Sequence, residues 1–161
     1  LGGFIYAANE GTIYSDEALA DPYDMRLTLE REFLTTTRLV DVITDTHFYE
    51  RDRLGRLIAF VARLREDGWS QQPLGIGVDE GTALVVAPDG MASVLGQGYI
   101  YVVDGSLEPS TCEAGTPLEF TALPYTRVGP GEPFSLPTRI DLEFDRSVDV
   151  SGGELISDDL Y

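Results

Sequence analysis

Apolar and polar residues change their spacing several times along this chain, and each change marks an element. From Leu39 to Asp45 the run Leu-Val-Asp-Val-Ile-Thr-Asp is short, β-branched and largely apolar, which predicts a strand buried on both faces. Between Arg53 and Glu66 the spacing becomes helical: Leu54, Leu57, Ile58, Val61 and Leu64 recur at three and four, while Arg56, Arg63 and Glu66 fall largely off that stripe. Asp67-Gly68 ends this helix. A polar Ser70-Gln71-Gln72-Pro73 linker then leads into Leu74 to Asp79, a second short apolar strand that contains two glycines.

Strand, helix and strand within about forty residues make a βαβ unit, whose strands are parallel and whose crossover is right-handed. Beyond Glu80, Thr82 to Ala87, a Pro88-Asp89-Gly90 turn, Met91 to Leu95 and Tyr99 to Val103 are expected to form a β meander. Alternating runs at Leu118 to Thr121 and Ile140 to Phe144 add further strands in a proline-rich final third. Leu27 to Leu34 fits either a strand or a helix. No internal repeat is present, and the chain has enough apolar residues for one core.

Charge narrows the partners. Twenty-eight acidic against eleven basic side chains give a net charge of −17, which repels nucleic-acid phosphates and anionic membrane surfaces. No run of eighteen apolar residues and no signal-peptide pattern occur, so the chain reads as soluble, in the cytoplasm or secreted after removal of a signal. Every basic residue is arginine, a bias equally suited to high salt and to GC-rich coding. Cys112 is the single cysteine, so no disulfide can close within the chain and no thiolate metal cluster can form. The opening Leu1-Gly2-Gly3-Phe4 reads as an interior point of a longer polypeptide.

Chemistry-bearing residues concentrate from Asp45 to Leu57, and again at Gly77-Val78-Asp79-Glu80-Gly81. If the two parallel strands are neighbours, their axes lie about 5 Å apart. His47, the only histidine, and Glu80 then sit just past the carboxyl ends of those strands, where ligands bind in open α/β sheets. Glu80 could hold one imidazole nitrogen and leave the other as a general base. The plainer reading is a surface histidine beside a strand end, with Arg51, Arg53 and Arg56 paired to Asp45, Glu50 and Asp52 in a solvated charge network. Against it, three arginines crowd a helix amino terminus, which is itself partly positive and would welcome an anion.

The sequences Asp45-Thr46-His47-Phe48, Arg51-Asp52-Arg53-Leu54-Gly55-Arg56-Leu57 and Gly75-Ile76-Gly77-Val78-Asp79-Glu80-Gly81-Thr82-Ala83 resemble cyanophycinase and its relatives, including dipeptidase E. The resemblance implies an α/β fold, with part of a three-layer flavodoxin-like parallel sheet followed by a β-rich meander and tail. It makes residues 1–105 the carboxyl-terminal half of a serine hydrolase domain and residues 106–161 an acidic extension. It also implies that His47 is the catalytic base and Glu80 the acidic triad member, with Asp45, Thr46, Arg51, Arg53 and Arg56 at or beside the substrate pocket. The activity implied is hydrolysis of aspartyl or isoaspartyl peptides, with no cofactor and no metal.

Two departures stand out. Cyanophycinases commonly carry glutamine before the histidine, where this chain has Thr46, and the Gly-x-Ser-Ala-Gly nucleophile elbow of the family is absent. The serine is therefore expected upstream of Leu1, since Ser15 lacks the small flanking residues of an elbow. Expected partners are the amino-terminal half of the same protein, a peptide substrate and, as an option, a second copy in a homodimer. By itself the chain is expected to be inactive. The competing functions are a noncatalytic binding domain of the same fold and, ranked lowest, a metal site built from Asp45, His47, Asp79 and Glu80.

Overall fold

The computed structural model describes residues 2–32, 36–136, 138–139, 141–157 and 159–161. The expected βαβ unit is present: β3 (Val42–Thr46), α2 (Leu54–Glu66) and β4 (Leu74–Val78), the two strands parallel and in register from Val42 opposite Leu74 to Thr46 opposite Val78. Before it come β1 (Phe4–Tyr6), α1 (Ser15–Ala20) and β2 (Leu29–Arg31). After it come β5 (Thr82–Val86), β6 (Met91–Gly96), β7 (Ile100–Asp104), β8 (Phe120–Val128), β9 (Phe134–Ser135), β10 (Arg146–Ser151) and β11 (Glu154–Ile156).

Eight of these strands form one mixed sheet in the order β11-β10-β8-β7-β4-β3-β1-β2. Strands β1, β3 and β4 run parallel, and the remaining pairings are antiparallel. The α/β class is therefore as expected, and residues beyond 106 contribute β8, β10 and β11 to the same sheet.

Alternation along the central strands divides the core in two. Ile43, Tyr101, Val103 and Tyr125 face the helices, whose residues Leu54, Leu57, Ile58, Phe60 and Val61 are buried. Val42, Leu74, Ile76, Ile100 and Val102 face the other way, against Ala92, Val94 and Phe134 of the small sheet β5-β6-β9. The period of two thus places a helical layer on one face and a three-stranded sheet on the other. Glycine on the helix-facing side of β4 allows close approach: a Cβ on Gly75 would lie 2.8 Å from a Val61 methyl.

Three local expectations change. The segment from Thr82 to Val103 is not one meander, because β5 and β6 form a hairpin in the small sheet while β7 returns beside β4 in the large one. Ile100 and Val102 bury one face there and Tyr101 and Val103 the other, so β7 needs cover on both sides. Ile140 lies outside the described residues, and 141–145 carry no strand; that strand begins at Arg146. Within Leu27 to Leu34, Leu29–Arg31 form a short strand, β2, with Phe33 and Leu34 outside the described residues. Among the described residues no helix is long and apolar enough to cross a membrane.

Two buried groups tie this core to pH. Burial pushes the Cys112 thiol from 9.0 up to about 12, and the Tyr101 hydroxyl from 10.0 up to about 12. Both are neutral when buried and ionise more readily when exposed, so the stability they contribute is whole below about pH 9 and is lost as pH rises towards 12. The urea midpoint of the protein is expected to fall across that window; a flat profile would contradict it.

Candidate active site

The register of β3 against β4 fixes the site. Thr46 pairs with Val78, and the parallel contact continues one step further as the Phe48 N–H donates to the Val78 carbonyl at 3.1 Å. His47 therefore lies one residue, and Glu80 two residues, past the same rung. His47 Nδ1 stands 3.8 Å from a Glu80 carboxylate oxygen, close enough for an ion pair and longer than a hydrogen bond. Both side chains are open to solvent, with 40% of the imidazole and 65% of the carboxylate exposed, so a small rotation can close the gap when a ligand excludes water.

His47 adopts φ of +48°, in the left-handed region that few non-glycine residues enter. The turn that holds it there is heavily bonded. Arg51 N–H reaches the His47 carbonyl, Asp52 N–H the Tyr49 carbonyl and Arg53 N–H the Phe48 carbonyl, at 3.0–3.2 Å. Phe48 fills the space above Gly77, where a Cβ would overlap its ring. Glu80 is steadied through its backbone, whose N–H donates to the Glu50 carboxylate at 3.1 Å.

Beneath this turn lies a buried ion pair. Asp45, 6% exposed, accepts from Arg56 Nε at 2.5 Å and Nη2 at 2.6 Å, in the bidentate arrangement that suits guanidinium and carboxylate. Arg56 also donates to the Ile13 carbonyl and lies near the Tyr6 and Phe60 rings, 5.3 and 5.9 Å from their centroids. Arg53 adds a third bond to Asp45 at 3.1 Å and another to the Thr46 carbonyl. Burial, with smaller contributions from Arg56 and Arg51, lowers the Arg53 pKa against the raising effect of Asp45.

The seven residues singled out from sequence thus divide by depth. His47, Glu80, Thr46 and Arg51 reach the surface, whereas Asp45 and Arg56 are buried together and Arg53 bridges the two levels. The solvated charge network is replaced by this enclosed one. Arg51 borders a separate hollow with Ser15, Asp16 and Asp52. The metal reading loses two of its ligands, because Asp45 is taken up by arginines and both Asp79 oxygens accept backbone N–H groups, from Tyr49 at 3.1 Å and Tyr99 at 3.0 Å.

Two contributors had no signal in the sequence. Ser15 Oγ donates to the Asp52 carbonyl and accepts the Arg56 N–H at 3.3 Å. Tyr161 donates to Asp52 at 2.6 Å and accepts the Leu54 N–H at 3.2 Å. Arg53, the residue before α2, supplies no side-chain cap, so these two hydroxyls satisfy first-turn donors that would otherwise lack partners. The Ser15 hydroxyl is thereby engaged in holding α1 to the site rather than standing free as a nucleophile.

His47 and Glu80 thus stand together at the carboxyl ends of neighbouring parallel strands, the edge where ligands bind in open α/β sheets. Comparison with known proteins sharpens that description. The chain is 38% identical over 96 residues to cyanophycinases of Trichormus variabilis and a Nostoc species, and 33% identical over 98 residues to that of Synechococcus elongatus. These matches take in 60–61% of the chain and 25–26% of each relative, so the chain spans about a quarter of the length of the curated relatives it matches. Over these residues it is similar to cyanophycinases. No family model matches it.

Removing one partner of the buried pair leaves the other charged and unpaired. Asp45→Ala is expected to lower stability by about 3–5 kcal/mol, read from denaturant midpoints of the complete protein. Gly77→Ala forces Phe48 aside, with an expected loss of about 1–3 kcal/mol and a fall in any activity that depends on His47. A Gly77→Ala protein as stable as its parent would show that Phe48 yields freely.

Proposed function

We propose that this chain supplies the base and the carboxylate of a Ser-His-Glu triad in a peptidase acting on aspartyl or isoaspartyl peptides, with the serine carried on polypeptide outside residues 1–161. The observation behind this reading is the 3.8 Å approach of His47 Nδ1 to Glu80, at the carboxyl ends of adjoining parallel strands. The similarity to cyanophycinases supports this reading.

In this mechanism Glu80 accepts a hydrogen bond from the Nδ1–H of His47. That fixes the tautomer and leaves Nε2 as an acceptor. As the serine hydroxyl attacks the scissile carbonyl carbon, Nε2 takes its proton. The tetrahedral intermediate collapses with transfer of that proton to the departing amine, and water repeats the sequence on the acyl-enzyme. Glu80 stays ionised throughout and stabilises the imidazolium.

Arg51, exposed and without an ion-pair partner among the described residues, is assigned to a substrate carboxylate. Thr46 lies beside the base and selects by size. Asp45 and Arg56 act as positioning residues that hold the turn, with Arg53 bridging them to the Thr46 carbonyl.

In the complete protein, His47→Ala and Glu80→Ala are expected to lower kcat by about 10²–10⁴-fold while far-ultraviolet circular dichroism is unchanged. Turnover of cyanophycin, β-aspartyl-arginine and α-aspartyl dipeptides identifies the substrate. Parental rates in either variant would end the triad assignment.

A further inference from the structure

The turn residues Tyr49 and Glu50 and the strand-end residue Asp79, next to Glu80 in the chain, open onto a cleft of about 370 Å³ that is also lined by Tyr99, Tyr101, Arg127 and Tyr161. Its size falls within the range of small-ligand sites. Its walls are fixed by the same strand end that carries Glu80. The two Asp79 oxygens hold the backbone of Tyr49 and Tyr99, and Glu50, also at the cleft, receives the Glu80 N–H. Tyr161 meets Tyr49 and Tyr101 edge to face, with centroids 5.3 and 5.6 Å apart.

Arg127 is the cation of this cleft. Its guanidinium carbon lies 4.4 Å from the centroid of the Tyr99 ring. Tyr101, whose hydroxyl pKa burial raises and Arg127 lowers in part, lines the same cleft. A guanidinium held over a ring is oriented by its face and keeps in-plane N–H groups for an acceptor. Although acidic residues outnumber basic ones 28 to 11, Arg127 has no carboxylate within ion-pair distance among the described residues. The acidic groups facing the same cleft, Glu50 and Asp79, are occupied by backbone donors.

We propose that this tyrosine-walled cleft is a second substrate subsite, in which Arg127 binds a carboxylate of the peptide on the Glu80 side of the scissile bond. This rests on the reading of His47 and Glu80 as the catalytic base and its partner. It makes Arg127, carried on β8 and remote in sequence from every motif residue, a determinant of specificity. A peptide would then be gripped at two points, by Arg51 and by Arg127, which line different hollows.

The test uses the complete protein and β-aspartyl-arginine in three forms: the free acid, the peptide amidated at its carboxyl terminus, and the peptide amidated at its aspartyl α-carboxylate. Binding is measured by calorimetry in a His47→Ala background, and KM and kcat are measured with His47 intact. Arg127→Ala is expected to weaken binding of the free acid by about 10–100-fold, with Arg127→Lys intermediate. KM rises correspondingly and kcat changes little. One of the two amidated peptides binds weakly to the parent and is indifferent to Arg127, which identifies the carboxylate. Equal losses for all three peptides, or no loss, would overturn the subsite, as would a loss traced to Arg51→Ala alone. Retained turnover in His47→Ala would instead sink the triad and leave the calorimetric result on Arg127 standing.

Discussion

The bidentate contact between Asp45 and Arg56 is the constraint on which the site depends. Asp45 ends the helix-facing row of β3, and Arg56 occupies the first turn of α2, so their pairing locks the carboxyl end of a strand to the amino end of the following helix. His47 and Arg51 lie in the ten residues between those anchors, and Glu80 lies across from them just past the end of β4. Two charges taken out of water need near-complete compensation. Here it comes from Arg53, the Ile13 carbonyl and two aromatic rings. The polar groups that define the turn are thus bonded from below, which leaves the upper side free for a ligand.

Much of this was legible in the sequence, for physical reasons that differ by element. The helix Leu54–Glu66 follows from an apolar stripe recurring at three and four. The strands flanking it follow from β-branched runs too short for anything else. Their parallel adjacency then requires His47 and Glu80 to converge, because a crossover of that length leaves little alternative. What periodicity could not convey was depth. Arg51, Arg53 and Arg56 look alike in a string of letters, yet they are exposed, intermediate and buried in turn. Their fates are set by Tyr6, Ile13 and Ser15 from other elements and by Phe60 one turn further along α2.

The antiparallel half was less readable. Strands β6 and β7 are separated by a few residues and have similar apolar content, but one joins a small sheet and the other a large one. A hairpin and a change of sheet present nearly the same local pattern; burial of both faces of β7 separates them only in three dimensions. Tyr161 and Arg127 illustrate the same point over longer range. One caps the helix beside His47 and the other closes the cleft beside Glu80, from segments whose own sequences give no hint of either site.

The left-handed backbone at His47 bears on how this protein could change. A side chain in that conformation is disfavoured by about 1–3 kcal/mol relative to glycine, so the fold alone would gain from losing the imidazole. Glycine or asparagine at this position would give a firmer turn, so a histidine stands here against the preference of its own backbone.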